Sequence, residues 1–463
     1  MSNSREKTAE KDPKKLVVCI KTFGCQMNFY DTEVAGGLMA GSGYEVISEE
    51  WKRGPNGRKS EPAADVVLMN TCSVREHAEE RVYGRLGMLG KAKKKNPDLV
   101  IGLMGCMVEE HKEKLFQRFP QLDLMVGTRN LSELPALVEE VRKTRRQVSR
   151  IKQEGISIEY TDLIRREGKF HAWLPIMTGC NKVCTFCIVP ITRGTEVSMP
   201  AREVYREAAR LVADGVKWIT LLGQNVNSYK GAGGTGEGDR FPELLEMLCG
   251  IEGLERISFT TSHPHDATPE LYEVIARQPK ISRRFHLPLQ SGSDRILKRM
   301  KRLHTYAEFE EKIRRMREMI PGVVITTDII TGFSGETEED HAATRKALET
   351  LRFDGAYIYK YSVRPGTPAA KLEDDVPMPV KEARNAELLG IQKKIEAQKH
   401  QALLGKVLEV FVAGPSPKNA GELRGRSAEE RIAIFPGAPE QIGSFVRVKL
   451  TGVFHETFRA EIC

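Results

Sequence analysis

The sequence predicts an α/β protein in three parts: an N-terminal doubly wound α/β domain, a central partial (β/α)6 TIM-like barrel, and a small C-terminal all-β barrel. Short β-rich runs alternate with amphipathic stretches over the first 150 residues. Six strand–helix repeats then follow over some 200 residues. The last sixty residues carry strands separated by Gly and Pro. The chain of 463 residues is long enough for several cores. With a mean hydropathy of -0.38 and no run of eighteen apolar residues, no membrane span is expected.

Residues 1–15, "MSNSREKTAEKDPKK", are charged and lack the apolar h-region of a signal peptide, so they read as a disordered leader on a cytoplasmic protein. In residues 16–141, "LVVCIKT", "DVVLMN" and "LVIGLMG" read as buried parallel strands, with "VREHAEERVYGRLGMLGKAKKK" as an amphipathic helix between them. Residues 142–172 read as a polar, basic linker; "RKTRRQVSRIK" holds six basic residues and no acidic one. Residues 173–403 contain the barrel strands "WLPIMTG", "KWITLLGQN", "RISFTTSHP", "RRFHLPLQSG", "VVITTDIITGF" and "DGAYIYKYS". The loop "GAGGTGEGD" lacks the strand–turn–helix setting of a phosphate cradle. A helical connector, "VKEARNAELLGIQKKIEAQKH", leads to residues 404–463, where "KVLEVFVAG", "RIAIFPG" and "SFVRVKLTGVFHETFRAEI" form a barrel of a kind often used for nucleic acids. A net charge of +8 is compatible with a polyanionic partner.

Nine cysteines is an odd number, which favours metal binding or catalysis over a disulfide framework. Cys180, Cys184 and Cys187 follow the first barrel strand with C-x3-C-x2-C spacing, and Phe186 lies between the last two. A structural zinc site wants four ligands. A 4Fe-4S cluster held by three thiolates leaves one iron open. S-adenosylmethionine can fill that position, and an electron from such a cluster can then release a 5′-deoxyadenosyl radical. Cys25, Cys72 and Cys106 each sit just past the C-terminal end of a predicted strand, where loops converge, and form a plausible second cluster site supplying sulfur. Cys19 and Cys249 read as core, and Cys463 lies outside any cluster pattern.

Gln224, Asn225, Ser262, Gln290 and Asp328 fall at strand C-termini around the barrel mouth. With Phe186 they are the candidate cofactor-binding residues, although Gln224 and Asn225 equally suit strand-end hydrogen bonds. His263 suits a structural hydrogen bond as well as a substrate contact. Arg193 and Glu196 follow the triplet and are candidates to orient cofactor or substrate.

The stretches "KTFGCQMNFYDTE", "NTCSVREHAEERVYGRLG", "MGCM" and "GCNKVCTFCIVPITRGTEVSMP" closely resemble the radical S-adenosylmethionine methylthiotransferases, from about Leu16 to Ile462. Within that family "FGCQMN" resembles the tRNA-2-methylthio-N(6)-dimethylallyladenosine synthases, the MiaB group. The ribosomal-protein enzymes would have "LGCPKN" and the threonylcarbamoyl-adenosine enzymes "LGCKVN". "GRSAEERIAIFPG" resembles a TRAM domain, an RNA-binding module.

The resemblance implies two 4Fe-4S clusters, an auxiliary one on Cys25, Cys72 and Cys106 and a radical-generating one on Cys180, Cys184 and Cys187. It implies methylthiolation of carbon 2 of the N(6)-isopentenyladenosine 3′ of a tRNA anticodon, a base that must be presented unstacked. A monomer, an electron donor such as flavodoxin or ferredoxin, and a sulfur or iron–sulfur carrier are expected with it. The same chemistry on threonylcarbamoyl-adenosine or a ribosomal-protein aspartate is the alternative, and a non-catalytic metal-containing RNA-binding protein a distant one. One position departs from the family's usual "SRP": Ser198-Met199-Pro200 puts methionine where arginine stands.

Overall fold

The computed structural model describes residues 15–47, 63–73, 76–151, 158, 163–166, 168–231, 240–419 and 421–463. The expected leader lies almost wholly outside them, as does most of the "GAGGTGEGD" loop. The chain divides into two compact units, Met1–Gly155 with Thr161–Arg165, and Ile156–Tyr160 with Arg166–Cys463.

The first unit runs β1 (Val17–Phe23), α1 (Gln26–Gly41), β2 (Glu45–Ile47), β3 (Val66–Thr71), α2 (Glu76–Lys95), β4 (Val100–Gly105), α3 (Cys106–His111), α4 (Lys114–Arg118), β5 (Leu124–Val126), α5 (Leu134–Thr144) and β6 (Val148–Arg150). Its sheet has the order β2-β1-β3-β4-β5-β6, and every pairing is parallel. Because strand side chains alternate, Val18, Ile20 and Leu68 pack with α1 and α5, while Cys19, Val67, Ile101 and Leu103 pack with α2. Both faces are therefore covered, as a parallel sheet requires. The end of α5 and β6 take up residues that composition alone reads as the start of a linker: Val148, Ser149 and Arg150 pair with Leu124, Met125 and Val126.

The second unit opens with β7 (His171–Pro175), β8 (Met177–Thr178), α6 (Val189–Thr192), β9 (Val197–Ser198), α7 (Ala201–Ala213), β10 (Trp218–Leu222), α8 (Phe241–Cys249), β11 (Arg256–Phe259) and α9 (Pro269–Arg277). It continues through β12 (Arg284–His286), α10 (Asp294–Arg299), α11 (Tyr306–Met319), β13 (Val324–Thr331), α12 (Glu338–Leu351), β14 (Gly355–Lys360) and α13 (Met378–Gln401). Two parallel three-stranded sheets, β7-β10-β11 and β12-β13-β14, are joined by the Ile257–Ile281 bridge into the expected partial barrel. Ala172, Leu174, Ile219, Leu221, Ile257, Phe285 and Ile325 face the helices in one core. Their neighbours in sequence face the concave side and are largely polar: His171 beside Thr220, Trp218 Nε1 donating to Ser258, and His286 against Thr326 and Asp328.

The chain ends in a closed five-stranded barrel of β15 (Val407–Pro415), β16 (Glu422–Ser427), β17 (Ile432–Pro436), β18 (Phe445–Phe454) and β19 (Thr457–Ile462), in the order β15-β16-β17-β19-β18. It docks on the starts of the large barrel's strands. Phe411 meets Phe170 and Trp218 edge-on, Arg426 lies over Trp218, and Lys217 Nζ donates to Gly443 O. Asp354, just before β14, pairs with Arg431 and with Lys399 of α13. A cavity of about 380 Å³ remains here, lined by residues such as Arg284, Thr326, Tyr357 and Glu456. Among the described residues no helix is long and apolar enough to cross a membrane.

His171 lies beneath this contact, where burial and then the Arg426 cation depress its pKa to about 4. The unfolded chain takes up that proton near pH 6.5, so the neutral ring's contribution is full above about 6.5 and drains away as pH falls towards 4. In urea titrations followed by tryptophan fluorescence, the stability advantage of wild type over His171→Gln should shrink by about 1 to 2 kcal/mol between pH 7.5 and pH 5. An advantage independent of pH would contradict this.

Candidate metal centres

In the first unit, register aligns the ends of three neighbouring strands: Phe23 pairs with Thr71, and Thr71 with Gly105. Cys72 and Cys106 follow directly and Cys25 one residue later, so all three emerge at one edge of the sheet. Between β1 and β3 the chain reverses its direction of winding, and such a switch point leaves a crevice at the strand C-termini. Cys72 and Cys106 are buried, and Cys25 is partly exposed. Asn28 organises the floor: its Oδ1 accepts the Cys25 N–H at 3.1 Å and lies 3.4 Å from Cys25 Sγ, and its Nδ2 donates to Asn70 Oδ1 and Thr71 O. Asn70 Nδ2 returns a bond to Asn28 O at 2.8 Å. Three thiols on three adjacent loops form a soft donor set that fits an iron–sulfur cluster better than a hard cation. Nearby, α2 and α3 bring Glu79, Glu110 and His111 together, with His111 Nε2 3.6 Å from Glu79.

In the second unit the triplet lies on the loop after β8. Cys184 is buried, Cys180 and Cys187 partly so. Burial pushes the Cys187 thiol up to about 12, with Cys184 and Cys180 adding to the effect, and burial likewise raises Cys180. Without a cation the cage favours thiols; a coordinated metal inverts that preference. Gly179 (φ +74°) lets the loop turn beside Thr195, whose carbonyl oxygen would lie 2.0 Å from an added Cβ. Phe186 anchors the loop by packing edge-on against Phe333.

The predicted rim residues gather at this strand-end face. Gln224 Oε1, Asn225 Oδ1, Ser262 Oγ and Gln290 Oε1 are all buried and have no hydrogen-bond partner in the protein. Such atoms are costly unless something supplies a partner, so the face fits a bound molecule rich in polar groups such as S-adenosylmethionine. Gln290 (φ +75°) and the β-branched Thr261 (φ +61°) hold left-handed backbone here, a strain concentrated at functional sites. Asp328 instead pairs with His286 at 3.3 Å, facing the concave side. Glu196 accepts from Ser228 at 2.7 Å, and burial raises its pKa. Arg193 is buried. Met199 is buried in the core, where its carbonyl accepts from Tyr229 Oη; the departure from "SRP" places an apolar packing residue at this position.

Asp266 and Arg302, which carry no motif signal, surround the triplet together with Lys182 and His263. Lys182 pairs with Asp266 at 2.8 Å, and Asp266 also accepts from Asn225 Nδ2 at 2.7 Å. Arg302 Nη1 lies 3.3 Å and His263 Nε2 3.9 Å from Cys184 Sγ. Burial, reinforced by Arg302 and Lys182, drives the His263 pKa far below its ordinary value.

The profile of the Radical SAM superfamily matches residues 174–348, that of the uncharacterized protein family UPF0004 residues 17–127, and that of the TRAM domain residues 401–462. Among solved structures, the chain resembles the radical S-adenosylmethionine methyltransferase TsrM from Kitasatospora setae, with cobalamin and a 4Fe-4S cluster bound. That match has TM-score 0.53 and 16% identity and covers 77% of each chain. The cobalamin-dependent radical enzyme OxsB matches at TM-score 0.51 and 14% identity over 83% of this chain and 56% of that one. Fold and profiles thus define a radical S-adenosylmethionine protein with a TRAM domain. The tRNA-2-methylthio-N(6)-dimethylallyladenosine synthase of Dictyoglomus thermophilum is 43% identical over 95% of this chain and 96% of its own. That of Bordetella pertussis is 43% identical over 96% and 97%, and that of Moorella thermoacetica 42% over 93% and 95%. The chain belongs to this family of synthases, whose cofactors are S-adenosylmethionine and 4Fe-4S clusters.

Gly105 (φ +96°, ψ -160°) occupies a backbone region essentially reserved for glycine, and an added Cβ would meet Asn70 Oδ1 at 2.5 Å and Thr71 O at 2.6 Å. Gly105→Ala should destabilise the first unit by about 2 kcal/mol. Thermal unfolding monitored by circular dichroism would show a lower midpoint; an unchanged one would mean the turn before Cys106 can relax freely.

Proposed function

We propose that this chain methylthiolates carbon 2 of N(6)-dimethylallyladenosine beside the tRNA anticodon. The reading follows the family to which the chain belongs, and one observation carries it. Three thiols and four partnerless buried polar atoms meet at the strand C-termini of a barrel whose concave side is polar.

When bound, the clusters and S-adenosylmethionine supply the radical that removes the adenine hydrogen and the sulfur and methyl that replace it. The protein's own part is placement. Cys180, Cys184 and Cys187 hold one cluster, and Cys25, Cys72 and Cys106 the other. Gln224, Asn225, Ser262 and Gln290 take the cofactor's polar groups, and Phe186 fixes the loop that presents the triplet. On the concave side the His286–Asp328 pair offers hydrogen bonds to a base edge, and Tyr357, 44% exposed and 6.0 Å from the His286 ring, offers a face for stacking. Arg193 and Glu196 orient what binds at the triplet. The TRAM barrel grips RNA. A low-potential donor such as flavodoxin or ferredoxin brings the electron, and a sulfur or iron–sulfur carrier replenishes the sulfur. The chain works as a monomer in the cytoplasm.

Anaerobically reconstituted protein, given S-adenosylmethionine, dithionite and isopentenylated tRNA, should yield 2-methylthio-isopentenyladenosine in a nuclease digest analysed by mass spectrometry, and Cys180→Ala should yield none. Cofactor cleavage without modified nucleoside would overturn the substrate while leaving the chemistry intact. Replacing Cys180, Cys184 and Cys187 together by Ala should abolish cofactor cleavage yet retain about half of the iron and sulfide, the share of one cluster in two. Complete loss of iron would contradict an independent auxiliary site.

A further inference from the structure

Arg302 is a buried cation (5% exposed), and among the described residues no carboxylate lies within ion-pair distance of it. Its Nη2 donates to Pro288 O at 2.8 Å, its Nη1 points at Cys184 Sγ from 3.3 Å, and its Nε has no partner. Burying an uncompensated guanidinium is expensive, so a charge of opposite sign is called for where Nη1 points.

The chain around Arg302 is tied to the triplet loop. Thr185 N–H donates to Met300 O at 3.0 Å, Thr185 Oγ1 donates to Arg299 O at 3.2 Å, and Arg302 N–H returns to Leu297 O at 2.9 Å. A second donor approaches the same sulfur. His263 Nδ1 accepts the His265 N–H at 3.2 Å, which leaves the ring proton on Nε2, 3.9 Å from Cys184 Sγ. Asn227 pins the His263 backbone on both sides, accepting its N–H at 2.9 Å and donating to its carbonyl at 3.0 Å. The other two thiols receive main-chain donors, Cys180 the Lys182 N–H at 3.4 Å and Cys187 that of Val189. Cys184 alone is met by side chains, one of them a fixed positive charge.

We propose that Arg302, seconded by His263, is a positioning residue that holds the Cys184 thiolate and raises the reduction potential of the cluster ligated by the triplet; this rests on the ligand assignment made above. Reduction adds one electron to the centre, from 4Fe-4S(2+) to 4Fe-4S(1+), with no bond made and no proton moved. The added negative charge is felt directly by a cation and by N–H donors at the sulfur, in a setting too buried for water to screen it. Arg302 thereby eases electron entry from a low-potential donor, and its own counter-charge is the cluster.

The test is a dithionite redox titration of the anaerobically reconstituted full-length holoenzyme, followed by electron paramagnetic resonance with and without S-adenosylmethionine. The signal that the cofactor perturbs, and that Cys184→Ala removes, belongs to the triplet's cluster; if no such signal exists in wild type, the ligand assignment fails and the inference with it. In Arg302→Gln, which keeps an N–H donor but no charge, the reduced-to-oxidised ratio at a fixed potential should fall about tenfold, equivalent to about 59 mV for one electron. Arg302→Lys should restore most of it, and iron and sulfide content should match wild type in both. An unchanged ratio with full iron content would overturn the proposal. So would an unchanged ratio with weakened S-adenosylmethionine binding, which would give Arg302 to the cofactor's carboxylate instead. Failure of Arg302→Lys to load the cluster would also overturn it, by making the residue structural.

Discussion

In a parallel sheet every strand finishes at the same edge, and the evenly spaced ladder between strands fixes how far each one reaches. Both cysteine sets depend on that. Phe23, Thr71 and Gly105 stand in one row because of ladder register, so thiols separated by 47 and 34 residues in sequence are delivered to neighbouring loops. The same alignment in the large barrel brings the loops after β8, β10, β11 and β12 to one rim, where Cys184, Asn225, His263 and Gln290 are placed. A one-residue slip in any pairing would retract a ligand and turn alternating side chains to the wrong face.

That dependence explains what the sequence could and could not disclose. The triplet is local, its ends only seven positions apart, and its spacing is itself the signal. Cys25, Cys72 and Cys106 become legible once each is placed at a strand end. Arg302 has no such handle: it lies 118 residues from Cys184 along the chain, among the basic residues of "RILKRMKR", and only tertiary packing turns it inwards. Asn28 and Asn70 sit inside quoted motifs, yet their role is a mutual hydrogen-bond exchange across 42 residues that no pattern encodes. β6 hides for a different reason. Its Val-Ser-Arg run is short and basic, and it becomes a strand because β5 offers an unpaired edge. Met199 shows the converse, since a missing charge draws the eye while the residue itself is packed in the core.

The concave side of the large barrel is unusual for its architecture. Complete (β/α)8 barrels fill their interior with branched apolar side chains. Here six strands leave the ring open, and the main apolar core lies on the helix-facing side. On the other side His171 pairs with Thr220, Trp218 Nε1 donates to Ser258, and His286 meets both Thr326 and Asp328. A polar hollow of this kind suits a base taken out of its stack, because partners for hydrogen bonds are already aligned and little reorganisation is needed.

The docking of the small barrel against the strand starts has a consequence for how RNA would be handled. Strands such as β7 and β13, of five and eight residues at roughly 3.3 Å per residue, separate that docked face from the rim by about 16 to 26 Å. A grip at one end of such a distance cannot aim a single atom at the other. It works as a leash, keeping the nucleotide within a small volume so that its effective concentration near the hollow is high, while the final orientation is left to contacts at the rim. Division of labour on this plan lets the gripping module disregard the base altogether and read only backbone and shape.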